Sequence, residues 1–307
     1  MLRARDNGAA RGRMNQDQIK HAELLREAFN QYLVHVHELP LNPGGKLLGY
    51  DFDFINGRKW RALANAMVQC DLREPTNLIN GWNNSLCRWH AWSKVLDGRE
   101  EQEAWELRSE FLDSLAHECL LMPASIRDTI TSVATAAFHQ IRLSIDQSYP
   151  DYLEGEPKTP EEKPKPLNQK QKERRLSRLV RVWPDSTRFL EALREINTQV
   201  YIVATCNYRN LTAHSIGPRL GIGYTRTVTR CVKQAQALER ADGSYVLKDI
   251  PGKLAVSYGY GGTPPLDLET VRAANLGQYE KARSCYVEYR ALLEAAVEKI
   301  EPVESAA

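Results

Sequence analysis

Apolar residues that recur every three or four positions constrain this chain more than any other feature. That spacing gathers them on one face of a helix and scatters them over both faces of a strand. From Asn15 to Val36 they fall at Ala22, Leu25, Phe29, Leu33 and Val36, and a second stripe runs Leu78, Trp82, Leu86 and Trp89 toward Leu96. A short helix is expected around Trp60, Leu63 and Met67, and another across Glu101 to Leu121. Pro123 is expected to break the chain there, with Ser125 and Asp128 capping a new helix through Ile130, Val133, Ala137, Ile141 and Ile145. Segments of this kind, joined by short loops, read as antiparallel neighbours in a bundle. With 307 residues and 42% hydrophobic content, the chain can bury a sizeable core.

The composition then shifts. Pro150, Pro157, Pro160, Pro164 and Pro166, with Glu and Lys between them, make residues 149–169 a linker or surface loop. Directly behind it stand Lys170, Lys172, Arg174, Arg175, Arg178 and Arg181, opposed only by Glu173. This run is either a solvated helix face or a surface that grips a phosphate backbone, with Lys170, Lys172, Arg174, Arg175 and Arg178 as the RNA contacts. The formal net charge of +2 neither demands nor excludes nucleic acid, so a basic surface has to be local.

Trp183-Pro184-Asp185-Ser186 opens a central helix with Phe189, Leu193, Ile196, Val200 and Val203 on its apolar face. Asn207, Leu211 and His214 continue that phase until Gly217-Pro218 stops it. Alternation around Thr225 to Val232 and the Ala241-Asp242-Gly243-Ser244 turn point to a β-hairpin, and the last helix carries Tyr279, Ala282, Tyr286, Tyr289, Leu293, Ala296 and Ile300. The reading is a mostly α protein with a small hairpin inserted after the central helix. Residues 1–14 form a disordered tail, 15–148 the N-terminal helices of the bundle, and 170–307 complete the domain.

The chemistry concentrates in Asn207-Tyr208-Arg209-Asn210-Leu211-Thr212-Ala213-His214. Arg offers a planar, permanently charged fork that fits a phosphate, and His both takes and gives a proton near neutrality. On a straight helix residues five apart stand roughly 140° around the axis, so Arg209 and His214 do not share a face, whereas Asn210 and His214 do. A working pair needs the Arg side chain to wrap, a helix that ends inside the motif, or a second subunit facing the first. His214 is alternatively a hydrogen-bonded core residue of the apolar stripe.

Arg209-Asn210-Leu211-Thr212-Ala213-His214 resembles the R-N-x-x-x-H signature of the HEPN superfamily, helical domains found in many prokaryotic ribonucleases. The resemblance covers the motif and its helix, and more loosely the helices before and after. It implies an HEPN-like bundle that dimerises and cleaves RNA without a metal or cofactor, often as a toxin or phage-defence effector with an antitoxin or activating partner. Arg209 and His214 are then catalytic and Asn210 assists. His214 removes a proton from a ribose 2′-OH or returns one to the leaving 5′-oxygen, while Arg209 holds the non-bridging oxygens. A catalytically silent HEPN-like module that binds RNA or protein is the alternative. The chain's length, its proline-rich segment and its hairpin depart from a minimal HEPN bundle.

Other signals are weaker. His35 and His37 lack a third ligand, so no metal site is expected. His139 and Arg142 share a helix face and are candidates for the same cleft; Trp82 and Trp89 fit the apolar stripe. Six scattered cysteines without a CxxC pair fit a reducing compartment. Met1 to Arg13 is Arg-rich without an apolar stretch, and no run is long enough to span a bilayer, so a cytoplasmic protein without a membrane partner is expected.

Overall fold

A computed structural model describes residues 15–37 and 47–303. The tail expected over 1–14 lies outside the described residues. Helices dominate, in the order α1 Gln16–His35, α2 Ala64–Leu96, α3 Glu101–Leu107, α4 Asp113–Ile145, α5 Gln169–Val180, α6 Ser186–Arg194, α7 Gln199–Ala204 and α8 Tyr208–His214. An antiparallel hairpin of β1 Val228–Glu239 and β2 Tyr245–Tyr260 follows, then α9 Leu268–Val297. The described residues form two compact units, one from residues before 47 with 87–115, the other from 47–86 with 116–303.

In the smaller unit the rings of Trp92 and Phe111 stack at 4.2 Å, and Tyr32 of α1 stacks on Trp92 at 4.8 Å. Arg99 fastens α1 to this unit through Glu27 at 3.2 Å and Gln31 at 2.8 Å. The larger unit is built around α9, whose heptad Tyr279, Tyr286 and Tyr289 is buried as core. Tyr279 meets Trp82 edge-on at 5.6 Å, and Tyr289 packs against Phe189 and Phe138. Each such ring stabilises the fold by roughly 1.5–3 kcal/mol through burial.

Pro123 does not end a helix; α4 runs straight through it. A proline has no N–H for the carbonyl four residues back, here that of Cys119. The Asn275 side chain of α9 supplies the missing donor, its Nδ2 lying 2.7 Å from that carbonyl. The same amide receives Trp82 Nε1 at 2.8 Å on its Oδ1 and donates to the Tyr201 hydroxyl at 2.9 Å. Burial pushes the Tyr201 hydroxyl far above its ordinary range, so it stays a donor, and it gives its proton to the Leu120 carbonyl at 3.3 Å.

The long central helix is also absent, replaced by α6, α7 and α8. Asn197 takes a left-handed conformation with φ 54°, and its N–H is received by Gln278 Oε1 of α9 at 2.6 Å. The turn resets the helical phase. Tyr201 now faces inward, while Val200 and Val203 stand 80% and 66% exposed instead of extending the stripe. A Schellman closure then ends α7: Asn207 N reaches Ile202 O at 2.7 Å and Cys206 N reaches Val203 O at 3.0 Å, with Cys206 at φ 49°. Asn207, at φ 53°, starts α8 in a new direction.

Candidate functional site

The motif occupies α8, whose side chains divide between core and solvent. Tyr208 is buried; Arg209, Asn210 and His214 are exposed. His214 is therefore not a core histidine, because the break at Cys206–Asn207 removed it from the apolar stripe. Beyond it the chain folds back tightly, and a Cβ on Gly217 would stand 2.5 Å from Thr212 Oγ1. Ser215 Oγ receives a hydrogen bond from the Arg226 guanidinium, which ties the base of the hairpin to the end of α8.

Two clefts meet at Arg209. One, of about 540 Å³, is lined by His117, Ser125 and Asp128 of α4 and by Arg209, Thr212 and His214 of α8. The other, of about 320 Å³, is lined by Asp128, Lys172, Tyr201, Asn207, Arg209 and Asn210 among others. Arg209 and His214 thus line one cleft within one protomer despite their spacing. Asn210 braces the guanidinium instead of the imidazole. Arg209 Nη1 donates to Asn210 Oδ1 at 3.0 Å, and Asn210 Nδ2 donates to Asn207 Oδ1 at 2.9 Å.

Among these lining residues His117 escaped the sequence reading, and Ser125 and Asp128, expected there to cap a new helix, lie instead inside the continuous α4. His117, Ser125 and Asp128 lie eight and three positions apart on α4, one polar stripe of the helix that buries Cys119, Ile126 and Ile130 elsewhere. That periodicity was visible; what it faced was not. His117 Nδ1 stands 2.9 Å from the Tyr208 hydroxyl, the rings meeting edge-on at 5.7 Å.

The basic run forms α5, with Asn168 completing a capping box through Gln171. Its one acid, Glu173, is half-buried and takes Arg127 in a two-pronged pair, Nε to Oε1 at 2.8 Å and Nη2 to Oε2 at 3.0 Å. Lys172 reaches the smaller motif cleft, whereas Lys170, Arg174 and Arg178 line a separate cleft of about 700 Å³ with Arg181, Arg194 and the acids Glu154 and Glu173. Arg175 Nη1 donates to the Glu154 carbonyl at 2.7 Å, and the Glu154 carboxylate pairs with Arg178. The proline-rich segment, which contains no helix or strand from 150 to 168, thereby lays one carboxylate over the basic run.

His139 and Arg142 line neither motif cleft. His139 is buried with Nδ1 3.3 Å from the Tyr149 hydroxyl and Nε2 3.1 Å from Asp151, and Arg142 stacks over the Tyr149 ring at 4.1 Å. This cluster pins the start of the proline-rich loop. Trp82 and Trp89 are fully buried, as the helical stripe implied. Among the described residues no cluster of His, Cys, Asp and Glu has metal-binding geometry, and no helix is long and apolar enough to cross a membrane.

The class defined at this point is a mostly helical protein with a small two-stranded sheet and an Arg–His cleft on a short helix. No known protein family, curated protein or solved structure matches the chain.

Proposed function

We propose that this protein is a metal-independent endoribonuclease of HEPN type, acting in the cytoplasm as a toxin or phage-defence effector whose activity an antitoxin or activating protein controls. The observation that carries the reading is that Arg209 and His214 line one open cleft of about 540 Å³. A guanidinium there binds the non-bridging oxygens of a phosphodiester and stabilises the charge that grows on them, a contribution of about 3 kcal/mol by analogy with oxyanion donors. The His214 imidazole takes the proton of the 2′-hydroxyl as that oxygen attacks phosphorus, worth roughly 10²–10⁴ in rate. Asn210 keeps the Arg209 fork in place. Lys172 extends the positive surface from the neighbouring cleft, and Lys170, Arg174 and Arg178 continue it along α5 for the RNA backbone, with Arg175 holding the Glu154 loop.

The active form in this reading is a homodimer. Cross-strand pairing puts Val228, Val232, Leu254, Val256, Tyr258 and Tyr260 on one face of the hairpin together with Arg230 and Gln234, and Tyr258 and Tyr260 are 71% and 97% exposed. A two-stranded hairpin whose exposed face carries six large apolar side chains is marginal by itself and supports a second copy packed there.

The deciding experiment is cleavage of RNA by purified protein in EDTA. Wild type should leave 2′,3′-cyclic phosphate ends, and His214→Ala and Arg209→Ala should each abolish cleavage without lowering the melting temperature. Equal activity in wild type and His214→Ala defeats the enzyme; RNA binding without cleavage by wild type leaves the silent binding module.

A further inference from the structure

Cleavage through a 2′-hydroxyl needs two proton transfers at opposite sides of phosphorus. The 2′-oxygen loses its proton as the O–P bond forms, and the 5′-oxygen gains one as it leaves with the P–O electron pair. His214 serves one of these positions. The motif names no group for the other.

The cleft holds a second imidazole. His117 lines it from α4, opposite the α8 residues Arg209 and His214. Its ring is held from the motif helix itself: Nδ1 lies 2.9 Å from the hydroxyl of Tyr208, which is 5% exposed and directly precedes Arg209. With Nδ1 engaged at the phenol, Nε2 is the nitrogen left for exchange with a ligand. The phenol oxygen can accept the Nδ1 proton of an imidazolium. The charged and titratable groups that line the cleft with His117 are Asp128, eleven positions along its own helix, and Arg209 and His214 on α8, while the Tyr208 hydroxyl sits on its Nδ1.

We propose that His117 is the proton donor to the leaving 5′-oxygen, paired with His214 as the base. This rests on the ribonuclease reading above. In one turnover His214 gains the 2′-OH proton, His117 Nε2 gives one to the 5′-oxygen, and the products are a 2′,3′-cyclic phosphate and a 5′-hydroxyl. Exchange with water returns both rings to their starting states. Tyr208 is a positioning residue that fixes which nitrogen of His117 faces the substrate.

The test compares two substrates with the full-length protein: an RNA oligonucleotide, and uridine 3′-(4-nitrophenyl phosphate), whose nitrophenolate leaves without a proton. His117→Gln should lose about 10²–10⁴ in kcat on RNA and the alkaline limb of its pH profile, because that limb reports the acid that must stay protonated. On the nitrophenyl ester it should remain within about tenfold of wild type, while His214→Ala fails on both. Tyr208→Phe, which keeps the buried ring, should shift the alkaline limb and provides the readout if His117→Gln does not fold. Equal losses on both substrates with the alkaline limb retained, or full activity of His117→Gln on RNA, overturn the proposal while leaving the ribonuclease standing. No RNA cleavage by wild type removes that reading and this one with it.

Discussion

Asn275 donates to the carbonyl of Cys119 at 2.7 Å, the carbonyl that Pro123 leaves without its helical partner. One side chain of α9 thus makes a proline tolerable inside α4, and through Tyr201 it also fixes α7, the helix that leads into the motif. The amide is fully buried, so its loss takes one hydrogen bond each from the Trp82 N–H, the Tyr201 hydroxyl and the Cys119 carbonyl. Asn275→Ala should cost about 3–4 kcal/mol in chemical denaturation, since three buried hydrogen bonds are lost at about 1 kcal/mol or a little more each. Adding Pro123→Ala should recover about 1 kcal/mol more in that background than in wild type, because the restored N–H serves Cys119. Strict additivity of the two substitutions would show that the proline and the amide are not coupled.

Glu173 lines the basic cleft but is paired with Arg127, and Glu154 is the acid that pairs with Arg178 of α5. Replacing Arg174 and Arg178 by Gln should weaken RNA binding and flatten the plot of log affinity against log salt, by about 0.7 for each lost phosphate contact on a single strand. Glu154→Gln should do the reverse, strengthening binding as it releases Arg178. Fluorescence anisotropy at several salt concentrations measures both. A slope unchanged in either variant makes this run an ordinary solvated face.

The hairpin face gives a prediction about assembly. Leu254 and Val256 are 74% and 43% exposed on the apolar side, so an aspartate there adds a charge where a second copy would pack. Sedimentation of wild type at micromolar concentration should report twice the chain mass, and Leu254→Asp with Val256→Asp should report the monomer with unchanged helical circular dichroism. Wild type sedimenting as a monomer rejects the dimer.

Stability toward acid has an identifiable contributor. Arg290 donates to Asp51 through Nη1 at 2.8 Å and Nη2 at 2.9 Å, and these hydrogen bonds lower the Asp51 carboxyl from its ordinary 3.8 to about 2. A carboxyl lowered by folding stabilises the fold above its unfolded value, and that contribution is lost as pH falls from about 4 through 2. Asp51 is largely exposed, so the contribution is no more than about 1 kcal/mol. Asp51→Asn should lower the melting temperature at pH 7 and match wild type near pH 2. A deficit that persists unchanged at pH 2 would mean lost packing and not lost charge.

Sequence periodicity by itself determined that the chain is mostly helical, that α9 buries its tyrosines, and that a hairpin turns at Asp242–Gly243. These follow from local rules, because an apolar stripe or a turn residue acts within a few positions of itself. The spacing from Arg209 to His214 was legible for the same reason, being local to one short helix. Tertiary contacts alone decided where helices stop. Pro123 is bridged by Asn275, more than a hundred residues away in sequence, and Asn197 is held in a left-handed turn by Gln278. No local pattern carries those partners. The turn at Cys206–Asn207 then freed His214 from the apolar phase that the sequence assigned to it. The same long-range packing set α4 beside α8 and so brought His117 and Asp128 to the cleft, an outcome of which side of each helix the core had already claimed.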